Sequence, residues 1–304
     1  MPEIAFLFPG QGSQHAGMGA ELLEDREIAE LAGRCSDAAG IDLRRLLTEA
    51  DDDELRLTTN AQPALVFAGV ALATLLARRG VRPAAAAGHS VGEYTALCAA
   101  GAIEPEAAVR VVVERGRAMA EAAPPGTSSM AAVLGLDRGA LEEALIGLPD
   151  VWPANYNTPT QVVLGGTVRG LERAAERLKE AGARRVVPLN VAAAFHTPLM
   201  EPAGGALRGA LDVAGWRSPE VPVVANLTGE PYRDPGGLPA GLERQLSSPV
   251  RWADCVGCLV ELGCDRFIEL GPKRALTGMM RELAPAAEAL AVSSPSALEA
   301  LALT

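Results

Sequence analysis

A serine set between glycines is the residue in this chain best suited to covalent chemistry. Ser90 is the centre of GHSVG at 88–92, which matches the G-x-S-x-G nucleophile elbow. Alanine propensity alone predicts a helix at 84–87, but Pro83 before these four alanines and a glycine after them favour a short buried strand. A helix is expected from about 91 to 100, and the glycines would let the intervening turn push the serine hydroxyl outward. The segment predicts a nucleophile, with a plain strand-to-helix turn as the alternative.

A nucleophilic serine needs a base, and the chain has three histidines. His89 adjoins Ser90, and neighbouring side chains in such a turn diverge. His15 follows a glycine-rich turn and is predicted to lie on the surface. His196 lies where the chain leaves a predicted small subdomain, and pockets form at such junctions. His196 is therefore the candidate general base, with an ordinary core or surface histidine as the alternative. No acidic residue follows in an obvious place, so a carbonyl is expected to orient the imidazole.

Arg115 is a cation on an apolar helical face. The residues that share this face are Ala108, Val111, Val112, Ala118 and Met119, whereas Arg110 and Arg117 point elsewhere. A guanidinium in an apolar stripe needs an anion partner. Periodicity alone favours a structural salt bridge with an acidic residue. The functional alternative is a substrate carboxylate, whose two oxygens fit a guanidinium bidentately.

The sequence does not predict a nucleotide, a metal or another cofactor. PGQGSQ at 9–14 lacks the lysine of a phosphate loop and the dinucleotide-binding spacing, although its glycines would let a main-chain N–H approach a reacting oxygen. Cys255, Cys258 and Cys264 lack a fourth ligand nearby, so we expect buried thiols and no metal site.

The elements that must position these residues follow an α/β pattern with an insertion. After a composition shift at 123–129, the predicted order is strand, helix, strand, strand, helix, strand up to residue 190. This β-α-β-β-α-β order is that of a ferredoxin-like unit. Helices and strands alternate on either side of it. The sequence therefore predicts a larger, discontinuous α/β domain and a small ferredoxin-like subdomain.

Composition excludes several classes of protein. The chain has 304 residues, 49% of them hydrophobic, which is enough for a packed core. A net charge of −11 without a basic block argues against a nucleic-acid partner. No stretch approaches 20 apolar residues without a charge, glycine or proline, so no membrane span is expected. The N-terminus does not resemble a signal peptide, and a cytoplasmic location is expected.

Several segments, in one order along the chain, carry a family resemblance. They are LFPGQGSQ (7–14), AQPAL (61–65), GHSVGE (88–93), ERGRAM (114–119), ANYNTPTQVVLGG (154–166), AAFHTPLM (193–200), RQLSSPVRW (244–252) and ELGP (269–272). The chain resembles the malonyl-CoA:acyl carrier protein transacylases, and the related acyltransferase domains of polyketide synthases, over essentially its whole length. The resemblance implies an α/β-hydrolase-like large domain at 1–127 and 194–304, a ferredoxin-like subdomain at 128–193, and a cleft between them.

The resemblance also implies a reaction and its partners. Ser90 would attack the thioester of malonyl-CoA, with His196 as general base, and the malonyl group would pass to the phosphopantetheine thiol of an acyl carrier protein. Arg115 would hold the free malonyl carboxylate. The main-chain N–H groups of Val91 and Gln11 would form the oxyanion hole.

Two more site residues come from the resemblance, and some alternatives remain open. Gln245 would lie beside His196, where a main-chain carbonyl orients the imidazole. Phe195 before the histidine accompanies malonyl rather than methylmalonyl use, because its ring fills the space of a methyl group. The alternatives are an acyltransferase for another extender unit, a carrier-protein acyl hydrolase, or a non-catalytic carrier-protein-binding module. Lys273 and Arg274 stand where the family often continues Gly-Pro-Gly, and are either a solvated pair or a surface facing acidic groups.

Overall fold

Two β-sheets, each with helices packed on it, make up the structure. It is a computed structural model that describes residues 3–122, 124 and 126–299, so positions 1, 2, 123, 125 and 300–304 of the predicted larger domain lie outside the described residues. The strands are β1 (Glu3–Phe8), β2 (Ala85–Gly88), β3 (Ser128–Leu134), β4 (Val151–Thr158), β5 (Gln161–Thr167), β6 (Arg185–Leu189), β7 (Val223–Val224), β8 (Cys264–Leu270) and β9 (Glu288–Val292).

Helices connect most of these strands. They are α1 (Arg26–Ala39), α2 (Leu43–Thr48), α3 (Asp52–Arg56), α4 (Thr58–Arg78), α5 (Gly92–Ala99), α6 (Pro105–Glu121), α7 (Arg138–Leu145), α8 (Val168–Glu180), α9 (Glu201–Asp212), α10 (Leu238–Gln245), α11 (Trp252–Glu261), α12 (Met280–Leu283) and α13 (Pro295–Glu299). Short 3-10 helices span Leu22–Glu24, Pro198–Met200 and Pro235–Gly237.

The larger sheet is parallel, with the strand order β7-β2-β1-β8-β9. β1 and β2 run side by side, with Phe8 opposite Gly88. All four residues of β2 are buried, as expected of a central strand covered on both faces. The alanine run is thus a strand, because its tertiary environment outweighs the helix propensity of alanine.

The smaller sheet is antiparallel, with the strand order β4-β5-β3-β6. α7 and α8 connect its strands, so the predicted β-α-β-β-α-β order is present. A separate apolar cluster, which includes Val133, Leu141, Leu164 and Leu178, packs this sheet against its helices. The predicted mixed α/β class is confirmed, and the structure has one parallel and one antiparallel sheet among the described residues.

The most apolar long helix lies in the core. α4 is the one helix among the described residues that is long and apolar enough to cross a membrane. However, 78% of its apolar stretch is buried inside the protein, with Phe67 and Leu72 fully covered. α4 packs against α5 and α6 and acts as a core helix.

The order of the strands brings the candidate residues together. The carboxyl ends of parallel strands lie at one edge of a sheet, and ligands bind at that edge in open α/β folds. β1 leads into the glycine-rich segment with Gln11, and the adjacent β2 leads into the turn at Ser90. α6 carries Arg115, and His196 follows β6 of the smaller sheet. The site therefore draws on both sheets.

Candidate active site

Ser90 occupies a strained turn between β2 and α5. Its φ is 54°, in the left-handed region that non-glycine residues rarely adopt. Glycine is needed on both sides: a Cβ on Gly88 would lie 1.9 Å from the carbonyl of Gly92, and one on Gly92 would lie 2.2 Å from the Phe8 oxygen. The Ser90 N–H donates to Oδ1 of Asn226 at 2.7 Å. Close main-chain packing and one asparagine thus hold the turn.

His196 contacts Ser90 across 106 positions of sequence. Its Nε2 lies 2.7 Å from the serine Oγ, and its Nδ1 lies 2.9 Å from the main-chain oxygen of Gln245. A carbonyl oxygen only accepts, so Nδ1 carries the ring proton and Nε2 can accept from the hydroxyl. Burial, and next the positive charge of Arg115, lower the pKa of His196 to about 3. The imidazole is therefore neutral at physiological pH.

Arg115 also contacts Ser90, and only 1% of its surface is exposed. Its Nη1 donates to Oε1 of Gln62 at 2.9 Å. Its Nη2 donates to Oε1 of Gln245 at 3.1 Å and to Oγ of Ser90 at 3.2 Å. Burial lowers the pKa of the guanidinium.

The prediction from helix periodicity that Arg115 forms a structural salt bridge is wrong. Among the described residues no carboxylate pairs with this guanidinium, and its buried Nε has no hydrogen-bond partner. Helix periodicity gives the face of a side chain but not the elements that pack on it. Here the packing elements offer two glutamine carbonyls, which solvate the cation without neutralising it.

The two residues predicted to donate to the oxyanion line one cavity. Val91 directly follows Ser90, and Gln11 lies in the loop after β1; both line the cavity over the serine. No acceptor in the described part of the protein takes the main-chain N–H of either residue. The Gln11 side chain donates to Oγ1 of Thr58 at 3.2 Å, which fixes its loop against the start of α4. Two N–H groups are thus free to donate to a substrate oxygen.

A cavity of about 830 Å³ opens over Ser90, lined by the segments that follow β1 and β2 and by strands of the smaller sheet. Met130 and Val163 line it from the smaller sheet. Phe195 also lines it and is 8% exposed, so its ring takes up space beside the base. Lys273 is exposed at the cavity, whereas Arg274 is exposed but outside the lining.

Four buried polar residues that the sequence analysis missed complete the site: Gln62, Glu93, Asn157 and Asn226. Asn226 donates from Nδ2 to the Gly88 oxygen at 2.7 Å. Glu93 accepts from Nε2 of Gln245 at 2.6 Å, and burial raises the pKa of its carboxyl to about 6. Glu93 has one sequence signal, a charge in the first turn of a largely apolar helix, whereas the amides have no such local signal.

The remaining candidates lie around the site or outside it. His89 lines the cavity, with Nε2 3.0 Å from Oδ1 of Asn157, and burial lowers its pKa. His15 is half-buried and does not line the cavity. The cysteines near the C-terminus are split between α11 and β8. Over the described ranges, no group of His, Cys, Asp and Glu side chains could hold a metal ion.

A neutral imidazole bonded to a strained serine, with free N–H groups nearby, can form and break acyl esters. The fold and this geometry define the class: an enzyme of serine-dependent acyl chemistry.

Residues 5–293 match the family model described as the acyl transferase domain. The chain is 40% identical to the malonyl CoA-acyl carrier protein transacylase of Bacillus subtilis, over 98% of this chain and 96% of the relative. It is also 40% identical to that of Escherichia coli K12, over 99% of both. The chain belongs to this acyl transferase family.

Solved structures agree with this assignment. The malonyl-CoA:acyl carrier protein transacylase of Xanthomonas oryzae pv. oryzae is similar with a TM-score of 0.94 and 39% identity, over 99% of this chain and 97% of that one. A malonyl-transacylase in complex with a type II polyketide synthase acyl-carrier protein is similar with a TM-score of 0.91 and 38% identity, over 98% of both chains. The resemblance predicted from the sequence motifs is confirmed.

Proposed function

We propose that this protein moves a malonyl group from malonyl-CoA to the phosphopantetheine thiol of an acyl carrier protein, for fatty-acid or polyketide synthesis. One observation carries the choice of acyl group. The buried Arg115 guanidinium lies 3.2 Å from the Ser90 hydroxyl and pairs with no carboxylate in the described protein. A buried cation without a counter-ion is unfavourable. The free carboxylate of a malonyl group supplies that counter-ion, and the relatives are named for malonyl transfer.

The first half-reaction loads the serine. The Ser90 Oγ attacks the thioester carbonyl carbon while Nε2 of His196 takes the hydroxyl proton. The main-chain N–H groups of Val91 and Gln11 donate to the developing oxyanion. The carbon–sulfur bond then breaks, and the imidazolium gives its proton to the CoA thiolate. A malonyl-serine and free CoA result.

The second half-reaction reverses these steps with a different thiol. His196 takes the proton of the phosphopantetheine thiol, and the thiolate attacks the malonyl-serine carbonyl. The same N–H groups stabilise the second oxyanion, and the carbon–oxygen bond to Ser90 breaks. The serine regains its proton from the imidazolium, so protons and charge balance over the cycle.

The alternatives explain the buried cation less well. A hydrolase that clears plain acyl groups from carrier proteins has no carboxylate for Arg115 to hold. A non-catalytic carrier-protein-binding module needs neither the 2.7 Å contact between Ser90 and His196 nor a strained serine. Another dicarboxylic extender unit would satisfy Arg115 as well. The Phe195 ring in the cavity supports malonyl, the smallest of them.

The architecture is part of the proposal. Residues 1–127 and 194–304 would form an α/β-hydrolase-like domain, and 128–193 an inserted ferredoxin-like subdomain. The parallel order β7-β2-β1-β8-β9 supports the first description, and the antiparallel order β4-β5-β3-β6 supports the second. A cytoplasmic location stays a prediction.

Intact-protein mass spectrometry tests the function. Incubation with malonyl-CoA should add one malonyl group to the wild-type protein and none to Ser90→Ala. Addition of a phosphopantetheinylated carrier protein should then remove the group and malonylate the carrier. A panel of other acyl-CoAs shows which acyl group loads fastest. A Ser90→Ala protein that transfers malonyl at near wild-type rate would refute the mechanism.

A further inference from the structure

One buried carboxylate beside the nucleophile takes no part in the steps above. Glu93 lies in the first turn of α5, three residues after Ser90, and is 0% exposed. Its Oε1 accepts from the hydroxyl of Tyr232. Its Oε2 accepts from Nε2 of Gln245 at 2.6 Å and from the main-chain N–H of Asn226 at 3.1 Å. Three donors thus converge on this carboxyl group, and none of them is a cation.

The Gln245 amide has one favourable orientation in this network. Its Nε2 donates both to Glu93 and to the main-chain oxygen of Ser90, at 3.0 Å. Its Oε1 therefore faces the other way, where it accepts from Nη2 of Arg115 at 3.1 Å. An amide turned by half a revolution would place its NH2 group against the guanidinium and its oxygen against the carboxyl group. Both contacts would then be unfavourable.

The same carboxylate oxygen reaches the segment that holds the strained serine. Asn226 donates its main-chain N–H to Glu93, and its side-chain Oδ1 accepts from the N–H of Ser90 at 2.7 Å. Gln245 in turn holds the base His196 through its main-chain oxygen. Glu93 thus contacts the two residues that between them hold the nucleophile, the base and the guanidinium.

We propose that Glu93 is a positioning residue for malonyl recognition: its Oε2 orients the Gln245 amide, and the amide oxygen places the Arg115 guanidinium for the malonyl carboxylate. This inference rests on the proposed function. An oxygen acceptor at the Oε2 position is the requirement, not a negative charge. A carboxyl group protonated on Oε1 still meets it, because the proton can be donated to the Tyr232 oxygen. Burial, which raises the pKa of Glu93 to about 6, favours that protonated form.

Two substitutions at Glu93 distinguish a role of its hydrogen bond with Gln245 from a general role in folding. Glu93→Ala removes the acceptor, and Glu93→Gln keeps a carbonyl oxygen for Gln245 while its NH2 group donates to the Tyr232 oxygen. The readout is the ratio of kcat/KM for serine acylation by malonyl-CoA to that by acetyl-CoA. Glu93→Ala should lower this ratio about 10-fold, and Glu93→Gln should keep it within about threefold of wild type. Glu142→Ala is the matched control, because Glu142 also accepts from a tyrosine hydroxyl but is exposed on the surface of α7. It should leave the ratio unchanged.

Each outcome supports or overturns the inference. Equal losses with both thioesters in Glu93→Ala would make Glu93 merely structural, and a Glu93→Gln ratio as low as that of Glu93→Ala would make charge the cause. Should Glu93→Ala fail to fold, Gln245→Leu provides a second test, since it removes the amide but keeps the main-chain oxygen. It should lower the ratio to a similar extent, and a wild-type ratio there would overturn the inference. A wild-type protein that malonyl-CoA does not acylate would instead refute the proposed function.

Discussion

Ser90 and His196, whose Oγ and Nε2 atoms lie 2.7 Å apart, both have left-handed main chain, with φ of 54° and 60°. Asp150 is the only other non-glycine residue in the described part of the chain with a positive φ. Such conformations cost about 1–3 kcal/mol each and persist only where the surroundings hold them. Two of the three meet at a single hydrogen bond. The fold therefore concentrates main-chain strain at the pair that we propose to do the chemistry.

Loss of the base should slow acylation strongly. We expect His196→Ala to reduce the rate of malonyl transfer by roughly 10²-fold or more, because His196 is the one base among the described residues that contacts the Ser90 hydroxyl. Intact-protein mass spectrometry of samples quenched at successive times gives this rate directly. His15→Ala is the control, since His15 does not line the cavity and should retain wild-type activity. An inactive His15→Ala protein beside an active His196→Ala protein would show that the base is assigned to the wrong histidine.

Arg115 should select for a carboxylate. We expect Arg115→Ala to lose malonyl transfer by about 10- to 100-fold, because a charge-assisted bidentate contact disappears. The variant should gain relative activity toward acetyl-CoA, which has no carboxylate to leave unpaired. Arg117→Ala, on the exposed side of the same helix and paired with Glu114, should change neither rate. Equal losses for malonyl-CoA and acetyl-CoA would make Arg115 a structural residue.

Phe195 should limit the size of the acyl group. The wild-type protein should prefer malonyl-CoA to methylmalonyl-CoA by roughly 10- to 200-fold, the discrimination that one methyl-sized group allows. Phe195→Ser should narrow this gap mainly by admitting methylmalonyl, whereas Phe195→Leu, which keeps more of the bulk, should narrow it less. Competition between the two thioesters, read by the mass of the acyl-serine, measures the preference. Methylmalonyl or a larger unit as the best wild-type substrate would contradict the prediction and leave the roles of Ser90 and Arg115 intact.

The pH dependence of acylation should not show the pKa of an ordinary histidine. Burial and the Arg115 charge lower the pKa of His196 to about 3, from an ordinary value of 6.5, so the ring stays neutral and able to accept a proton as the pH falls. With acetyl-CoA as donor, kcat/KM should therefore stay nearly flat between about pH 8 and 5, since this constant reports the free enzyme.

Removal of the arginine provides the comparison for that profile. Arg115→Ala takes away a nearby positive charge, so the pKa of His196 should rise and the acid limb should move toward 6.5. Acetyl-CoA suits both proteins because it does not use the carboxylate contact. The contrary result is an acid limb that lies at pH 6.5 in the wild-type profile and does not move in Arg115→Ala. That result would show that the base titrates without influence from burial or from this charge.

Features that depend on local spacing could be predicted from the amino-acid sequence. The glycines around Ser90 require a tight turn, whatever the rest of the chain does. Helical periodicity places Arg115 on an apolar face, and alternating patterns set the order of strands and helices in the smaller sheet. The position of His196 at the exit from that sheet singled out one of three histidines. Each of these inferences uses residues within one element or at its ends.

Which side chains contact one another in the site depends on the packing of distant elements. Arg115 reaches Gln62 across 53 positions and Gln245 across 130, and no local pattern marks either glutamine as its partner. Asn226 and Glu93, which are hydrogen-bonded in the same network, are 133 positions apart in the sequence. Hydrogen bonds between distant elements depend on strand order and on helix packing to within a fraction of an ångström, whereas a sequence pattern specifies only the face of each element. The buried cation could therefore be predicted from the sequence, and its neutral partners could not.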